Sequence, residues 1–168
     1  MSGEGGAQAT SDVALPGPVE LRTLLDGLFD KPVKVSAHAA PVLPGRDVQV
    51  VGAYVDDTAS VRAVVFTDLT VGAALGGALA LVPVPRVEEA VGSGAVPADL
   101  ADNTREVLNI AASLFNCGDA HLKLSDVFVA PQPVSEQVVD FLRAAQQRQD
   151  VTVEVPGYGS GVVALLVS

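Results

Sequence analysis

The chain has 168 residues, of which 49% are hydrophobic, and a formal net charge of −10 at pH 7. Length and composition predict one globular domain with an aliphatic core, because Trp is absent and aromatic residues make up only 4% of the chain. The negative charge argues against a nucleic-acid binder, which needs basic side chains to neutralise phosphates, and against binding to anionic membrane surfaces.

The N-terminal segment, residues 1–17, is rich in Gly, Ser and Ala and has neither the basic nor the apolar region of a signal peptide. We expect it to be a disordered tail in front of a single domain over residues 18–168. The longest uncharged run, between Asp68 and Arg86, is short for a membrane span and is interrupted by glycines and prolines. The single cysteine, Cys117, cannot form an internal disulfide, so the sequence predicts a cytoplasmic protein.

The first half of the domain is predicted to be one helix, three strands and a second helix. Pro18 suits the first turn of a helix, and the leucines that follow it recur at helical spacing. Asp68 is expected to cap the second helix, because its carboxylate can accept hydrogen bonds from the first backbone amides. The predicted bounds are 18–29 for the first helix, 33–39, 48–55 and 61–67 for the strands, and about residue 81 for the end of the second helix.

The second half is predicted to contain two further helices and three strands. The stretch 83–97, which contains several prolines, is expected to be a loop with at most one helical turn. Ser135 is the candidate cap of the last helix. The glycine-rich PGYGSG lies between two strand patterns and is therefore interpreted as a hairpin turn, since a phosphate-binding loop needs a helix after it. The predicted bounds are 97–116 and 133–148 for the helices and 121–130 for the first strand, with VTVEV and GVVALLV as the last two strands.

Several polar residues outside the helices are candidates for metal or catalytic chemistry. Asp56 and Asp57 suit a hairpin turn, and a paired-carboxylate site is the alternative, although no third acid lies close by. His38 and His121 each lie in a strand pattern and have no partner at metal-ligand spacing. We therefore expect this chain to bind no metal ion or other cofactor of its own.

An internal similarity indicates that the domain is built from two related halves. The segments LLDGLFDKPVKVS (24–36) and AASLFNCGDAHLKLS (111–125) each contain a helix that ends in Leu-Phe, a short connector and a strand. The strands are clustered and joined by short links. The predicted class is α+β: a mixed or largely antiparallel sheet, helices packed on one face, and two pseudo-symmetric halves.

The stretch DNTREVLNIAAS, residues 102–113, carries the polar residues of most interest. On a helix, Asp102, Glu106, Asn109 and Ser113 fall in one narrow stripe, and apolar residues fall on the opposite side. A solvated helix face is the simple interpretation, because every amphipathic helix has a polar side. The stripe contains no Lys, however, and Asn is a poor residue for a helix interior, so Asn109 needs some other reason to be there.

The pattern D-x-x-x-E-x-x-N, formed by Asp102, Glu106 and Asn109, resembles the active-site helix of the CheC/CheX/FliY family of chemotaxis phosphatases. That family has a proline some twenty residues after the motif, and Pro131 and Pro133 lie near that position. The resemblance covers nearly the whole chain. It departs from the family's G-E-x-G-N form, because Arg105 precedes Glu106 and Leu108 precedes Asn109.

The resemblance implies a phosphatase that hydrolyses the aspartyl-phosphate of a CheY-like response regulator. The regulator would supply the phosphorylated Asp, a Mg²⁺ ion and a Lys. By similarity, Asn109 would orient the attacking water and Glu106 would pair with the regulator's Lys. Phosphoryl transfer needs mainly positioning and charge stabilisation, so two inserted side chains can suffice. Asp102, Arg105 and Ser113 are the expected partner-binding residues.

The first half of the chain contains an incomplete copy of this motif. Aligning Leu28-Phe29 with Leu114-Phe115 sets Glu20 against Glu106 and Thr23 against Asn109. A threonine hydroxyl cannot offer the carbonyl and NH₂ of an amide. We therefore expect one active site, as in CheX-like members, and by the same resemblance a homodimer that pairs through sheet edges.

Two other functions remain open at this point. The same fold could be a catalytically inactive docking platform for a response regulator, and Arg105 favours this alternative because it could crowd a partner. A small-ligand sensor is the second alternative. It has little support, because the sequence offers no convergent polar groups for a ligand pocket.

Overall fold

The computed structural model describes residues 13–38, 49–116, 120–145 and 147–168. Cys117 and residues 1–12 of the predicted tail lie outside these ranges, whereas Val13 is buried in the main core and Leu15 packs against that core. The described elements are α1 (Pro18–Phe29), β1 (Lys34–Ala37), β2 (Val50–Val55), β3 (Val61–Thr67), α2 (Leu69–Leu79), α3 (Val84–Ser93), α4 (Ala98–Ile110), a 3-10 segment (Ala111–Phe115), β4 (Lys123–Val129), α5 (Glu136–Ala144), β5 (Gln147–Val155) and β6 (Gly159–Val167).

The six strands form one sheet in the order β1-β5-β6-β3-β2-β4, and every pairing is antiparallel. If each strand is exchanged for its counterpart in the other half (β1 with β4, β2 with β5, β3 with β6), the result is the same order read from the opposite edge of the sheet. The edge strand of each half pairs with the middle strand of the other half. The prediction of an α+β fold with a largely antiparallel sheet and two related halves is confirmed.

Helices cover both faces of the sheet, which differs from the prediction of helices on one face. The main core lies between one face and helices α1 to α4. Helix α5 packs its Val138 and Phe141 on the opposite face, against Val51, Val64 and Phe66. The physical reason is visible in β2, whose six residues are all buried. A continuous apolar strand needs cover on both sides.

Residues 84–93 form a complete helix, so the prediction of a loop over 83–97 is wrong there. Pro85 lies in the first turn of α3, where the missing N–H costs no intrahelical hydrogen bond. Val87 and Ala90 are buried one turn apart and pack into the main core. Gly94 ends the helix with a left-handed φ of 85°.

Helix α5 is shorter than predicted, because residues 147 and 148 begin β5 instead of ending the helix. Ser135 is its cap, as expected, with Oγ accepting from the Val138 amide at 3.4 Å. In the strand, Arg148 and Asp150 project from the same face and form an ion pair, with Nε 2.7 Å from Oδ1. The Arg148 guanidinium also lies 5.7 Å from the centre of the Phe66 ring. These contacts with sheet residues stabilise the extended conformation.

The other predicted turns and caps agree with the structure. Asp68 caps α2 by accepting from the Val71 amide, and its second carboxylate oxygen accepts from the Val162 amide of β6, each at 3.0 Å. The glycine-rich segment is a hairpin turn between β5 and β6, in which the Tyr158 amide donates to the Val155 carbonyl. Within the described ranges, every helix is too short or too polar to cross a bilayer.

Asp56 belongs to the turn between β2 and β3. It accepts hydrogen bonds from the Thr58 hydroxyl at 2.6 Å and from the amides of Thr58 and Ser60, and it pairs with Arg62 at 3.3 Å. These contacts, the Thr58 hydroxyl first, hold the pKa of Asp56 at about 2, below its ordinary range. The carboxylate is thus used by its own turn. Among the described residues, no three His, Cys, Asp or Glu side chains are grouped to hold a metal ion.

Candidate functional site

The polar stripe of α4 is on the surface of the domain. Asp102, Arg105, Glu106, Asn109 and Ser113 are all exposed. The opposite side of the helix is buried in the main core through Leu100, Thr104, Val107 and Leu108. Leu108, which departs from the family pattern, therefore points away from the stripe, whereas Arg105 lies beside it.

Helix α4 is held in place on the α2 side by a buried threonine that the sequence analysis did not single out. Thr104 is fully buried, and its hydroxyl lies 2.5 Å from the Gly72 carbonyl and 3.1 Å from the Leu100 carbonyl. The close approach is possible because α2 presents glycines here. The sequence did contain a signal of this role. Thr104 lies four residues after Leu100 and three before Val107, so it is a polar residue on the apolar side of the helix.

The C-terminal end of α4 is held by strand β2. The buried Tyr54 hydroxyl donates to the Leu108 carbonyl at 2.5 Å, and the Leu108 side chain packs over Gly52. Burial raises the pKa of Tyr54 far above its ordinary value, so the hydroxyl remains a donor at any physiological pH. Glu106 and Asn109 thus project from a helix that is held by α2 at Thr104, before Glu106, and by β2 at Leu108, between the two residues.

The predicted helix over 97–116 is not one continuous α-helix. The α-helix ends at Ile110, and residues 111–115 form a 3-10 segment. Ser113 lies in this segment, and its hydroxyl donates to the Ile110 carbonyl at 3.0 Å. Asn116 then ties the segment to β4, because its side-chain amide exchanges two hydrogen bonds with the Leu122 backbone, at 2.6 and 3.1 Å.

Unlike that of Ser113, the side chains of Glu106 and Asn109 form no hydrogen bond or ion pair within the part of the chain that the structure describes. The same is true of Arg105, which forms no pair there with Asp102 or Glu106. One carboxylate and one amide thus project side by side from a rigid helix, with their hydrogen-bonding capacity open to an incoming molecule. This geometry suits the positioning of a small polar group on a partner surface.

The two prolines that the family pattern suggested do not lie at this stripe. Pro131 and Pro133 line a groove of about 270 Å³ on the opposite face of the sheet, together with Val51, Phe66 and Leu142. That is the face on which α5 packs. The sheet thus separates the prolines from the stripe. The candidate site therefore consists of the stripe residues of α4 and its 3-10 segment, without the prolines.

The incomplete copy in the first half occupies the equivalent place. Glu20 and Thr23 are exposed on α1, which precedes edge strand β1 as α4 and its 3-10 segment precede edge strand β4. The Thr23 hydroxyl donates to the Val19 carbonyl of its own helix at 2.9 Å. The first-half position therefore offers a carboxylate beside a hydroxyl that is already used.

Comparison with known proteins identifies the fold. No protein-family model matches the chain, and no curated protein matches it in sequence. Among solved structures, a FliM middle domain from Vibrio alginolyticus is similar with a TM-score of 0.57 and 11% identity, covering 89% of this chain and 87% of that one. FliM in a FliM-SpeE complex from H. pylori is similar with a TM-score of 0.55 and 8% identity, covering 89% and 80%.

Solved members of the CheC/CheX/FliY family are also among the similar structures. A CheX-CheY-BeF3-Mg²⁺ complex from Borrelia burgdorferi matches with a TM-score of 0.44 and 9% identity, covering 86% of this chain and 90% of that one. The likeness to the two FliM structures by itself establishes that this chain has the FliM middle-domain fold.

Proposed function

We propose that the chain is a phosphatase for the aspartyl-phosphate of a CheY-like response regulator. The observation that carries the proposal is the exposed pair of Glu106 and Asn109 on the rigidly held helix α4, with neither side chain engaged by the described residues. The D-x-x-x-E-x-x-N spacing and its similarity to the family's active-site helix support it. The overall fold is compatible, since it leaves this helix face open.

In this proposal the stripe enters the regulator's phosphorylation site as a unit. The amide of Asn109 accepts from and donates to a water, and so aligns it with phosphorus opposite the leaving carboxylate. The carboxylate of Glu106 pairs with the regulator's Lys and sets the register of the two proteins. Water then adds to phosphorus as the acyl-phosphate P–O bond breaks, releasing inorganic phosphate and the free Asp carboxylate. The Mg²⁺ ion belongs to the regulator.

The exposed arrangement explains why so few residues suffice. A loose phosphoryl-transfer transition state needs alignment and charge stabilisation more than covalent help. Positioning alone can supply several kcal/mol of barrier reduction, and a misplacement of about 1 Å can cost on the order of 100-fold in rate. In this mechanism α4 serves to hold the two side chains in a fixed position, and the hydrogen bonds of Thr104 and Tyr54 hold the helix.

The decisive experiment measures phosphate release from single-domain CheY-like regulators phosphorylated with acetyl phosphate in the presence of Mg²⁺. We expect the chain to accelerate release from at least one regulator, and Asn109→Ala to reduce the acceleration by at least about tenfold. Asn103→Ala is the matched control, because Asn103 lies on the same helix away from the stripe. Equal rates for Asn109→Ala and the native chain would reject the mechanism.

A docking platform without catalysis is the second candidate function. Arg105 is exposed beside Glu106 and would meet the same partner surface. One of the FliM structures with the same fold was solved as a complex with a second protein, SpeE. Regulator binding without faster phosphate loss would favour this alternative. Arg105→Gly would then be expected to restore some hydrolysis if crowding by the guanidinium is the cause.

We further propose a cytoplasmic homodimer. The edge strands β1 and β4 each pair on one side only within the described sheet, so each offers backbone groups to a second copy. Strand β4 is the longer of the two, with seven residues against four. Light scattering at micromolar concentration should give twice the mass of one chain, and a monomer mass there would contradict the dimer.

A further inference from the structure

Tyr54 contacts the candidate site from the core side of the sheet. Tyr54 is a residue of β2 and is fully buried. The centre of its ring lies 5.1 Å from that of Phe115, and the two rings are tilted against each other. Its hydroxyl reaches the carbonyl of Leu108, the residue immediately before Asn109. A residue 54 positions earlier in the chain thereby touches the backbone beside the proposed water-orienting amide.

The Leu108 carbonyl is a group that needs a partner. Helix α4 ends at Ile110, so Leu108 is among the last four residues, whose carbonyls have no amide partner four residues further on inside the helix. The backbone changes at Ala111 to the tighter 3-10 form. The Tyr54 hydroxyl satisfies this buried carbonyl at the point where the helix changes its winding.

Asn109 lies inside α4, directly after Leu108 and two residues before the change to the 3-10 form at Ala111. The direction of its side chain therefore depends on where the backbone at Leu108 is held. The packing of Leu108 against Gly52, where a Cβ would lie 3.2 Å from Leu108 Cδ1, restrains the same residue from the side. Tyr54 and Gly52 both belong to β2.

We infer that Tyr54 is a positioning residue for Asn109: its hydroxyl holds the Leu108 carbonyl, and thereby the adjoining backbone that carries the amide in the orientation used for hydrolysis. This inference rests on the proposed function. Tyr54 does not touch the partner, so its loss should affect turnover and leave docking unchanged. The expected signature is a lower kcat with an unchanged KM for the phosphorylated regulator.

The test compares Tyr54→Phe with Tyr158→Phe in the full chain. Both variants remove a hydroxyl that donates to a backbone carbonyl, since the Tyr158 hydroxyl donates to the Val82 carbonyl at 2.7 Å, away from α4. We expect Tyr54→Phe to lower kcat by about tenfold, within the range that small misplacements produce, and Tyr158→Phe to leave it unchanged. In an Asn109→Ala background, Tyr54→Phe should cause no further loss.

Hydrogen exchange provides a readout without activity. Tyr54→Phe should speed exchange in a peptide over residues 108–113 more than Tyr158→Phe does. If Tyr54→Phe does not fold alone, it is made in a Gly27→Ala background, because the added methyl meets open space in α1 and should stabilise that helix. In that background it should give the same kcat loss.

The outcomes separate the two proposals. If Asn109→Ala leaves the native rate unchanged, the proposed function fails and this inference fails with it. If Asn109→Ala abolishes the acceleration while Tyr54→Phe, alone or in the Gly27→Ala background, retains the native kcat, the inference about Tyr54 alone is overturned. An equal loss in the Asn109→Ala background would also overturn it, since Tyr54 would then act by another route.

Discussion

Gly76 of α2 and Thr104 of α4 meet so closely that a Cβ on Gly76 would lie 2.6 Å from the Thr104 hydroxyl oxygen. The same Cβ would overlap the carbonyl oxygen of Leu100. No side chain fits between the helices at this point, so the glycine allows the backbones to approach and lets Thr104 bond to the Gly72 carbonyl. The distance between α2 and α4 at this point is therefore set by the absence of one methyl group.

This contact predicts that Gly76→Ala destabilises the domain. Alanine is the better helix former by roughly 0.5–1 kcal/mol, but overpacking at a backbone contact costs about 1–3 kcal/mol and should dominate. Gly27→Ala is the matched control, because Gly27 lies in α1 with open space around it and should stabilise the domain slightly. Urea denaturation measures both. A Gly76→Ala variant as stable as Gly27→Ala would contradict the packing.

Asp68 is predicted to contribute more than an ordinary helix cap. Its two oxygens accept from the Val71 amide of α2 and the Val162 amide of β6, so Asp68→Ala should lower the free energy of unfolding by about 2 kcal/mol. Ser135→Ala removes a single, longer cap bond at 3.4 Å and should cost less. Thermal denaturation of the two variants compares them. Equal losses would show that the bond to β6 adds nothing.

The stability of the domain should depend on pH through Asp56. Its pKa of about 2 in the folded protein is below the ordinary 3.8, so the charged form stabilises the fold. That contribution is present above about pH 4 and is lost as the pH falls through about 2. The difference in unfolding free energy between the native chain and Asp56→Asn should shrink over that interval. Asp57→Asn is the control, because it removes one negative charge from the same turn. A difference in unfolding free energy between the native chain and Asp56→Asn that does not change with pH would refute the prediction.

The pseudo-symmetry predicts that the first-half site can be completed. Thr23→Asn places an amide three residues after the exposed Glu20 on α1, the counterpart of α4. If the proposed phosphatase activity holds, Thr23→Asn in an Asn109→Ala chain should recover part of the lost rate, because carboxylate and amide again share one helix face. Thr23→Ala removes the same hydroxyl without adding an amide and should recover nothing. Equal rates for both variants would show that α1 does not dock.

The sequence determined the features that depend on local periodicity and local hydrogen bonds. A 3.6-residue period is enough to place Glu106 and Asn109 together on the exposed side of α4 and Leu108 on the buried side. The caps at Asp68 and Ser135 bond to amides three residues away, so they too are readable from the chain. The repeated Leu-Phe helix ends anticipated the two halves of the sheet.

The tertiary structure decided which surfaces meet. Periodicity marks a buried side without naming its partner, so it could not show that Thr104 bonds to Gly72 or that Tyr54 bonds to Leu108. It also could not assign α5 to the second sheet face or show that Pro131 lies on that face. These relationships join residues far apart in sequence, and close packing of the whole domain selects them. The residues of the site could thus be read locally, whereas the support that holds them rigid exists only in the folded domain.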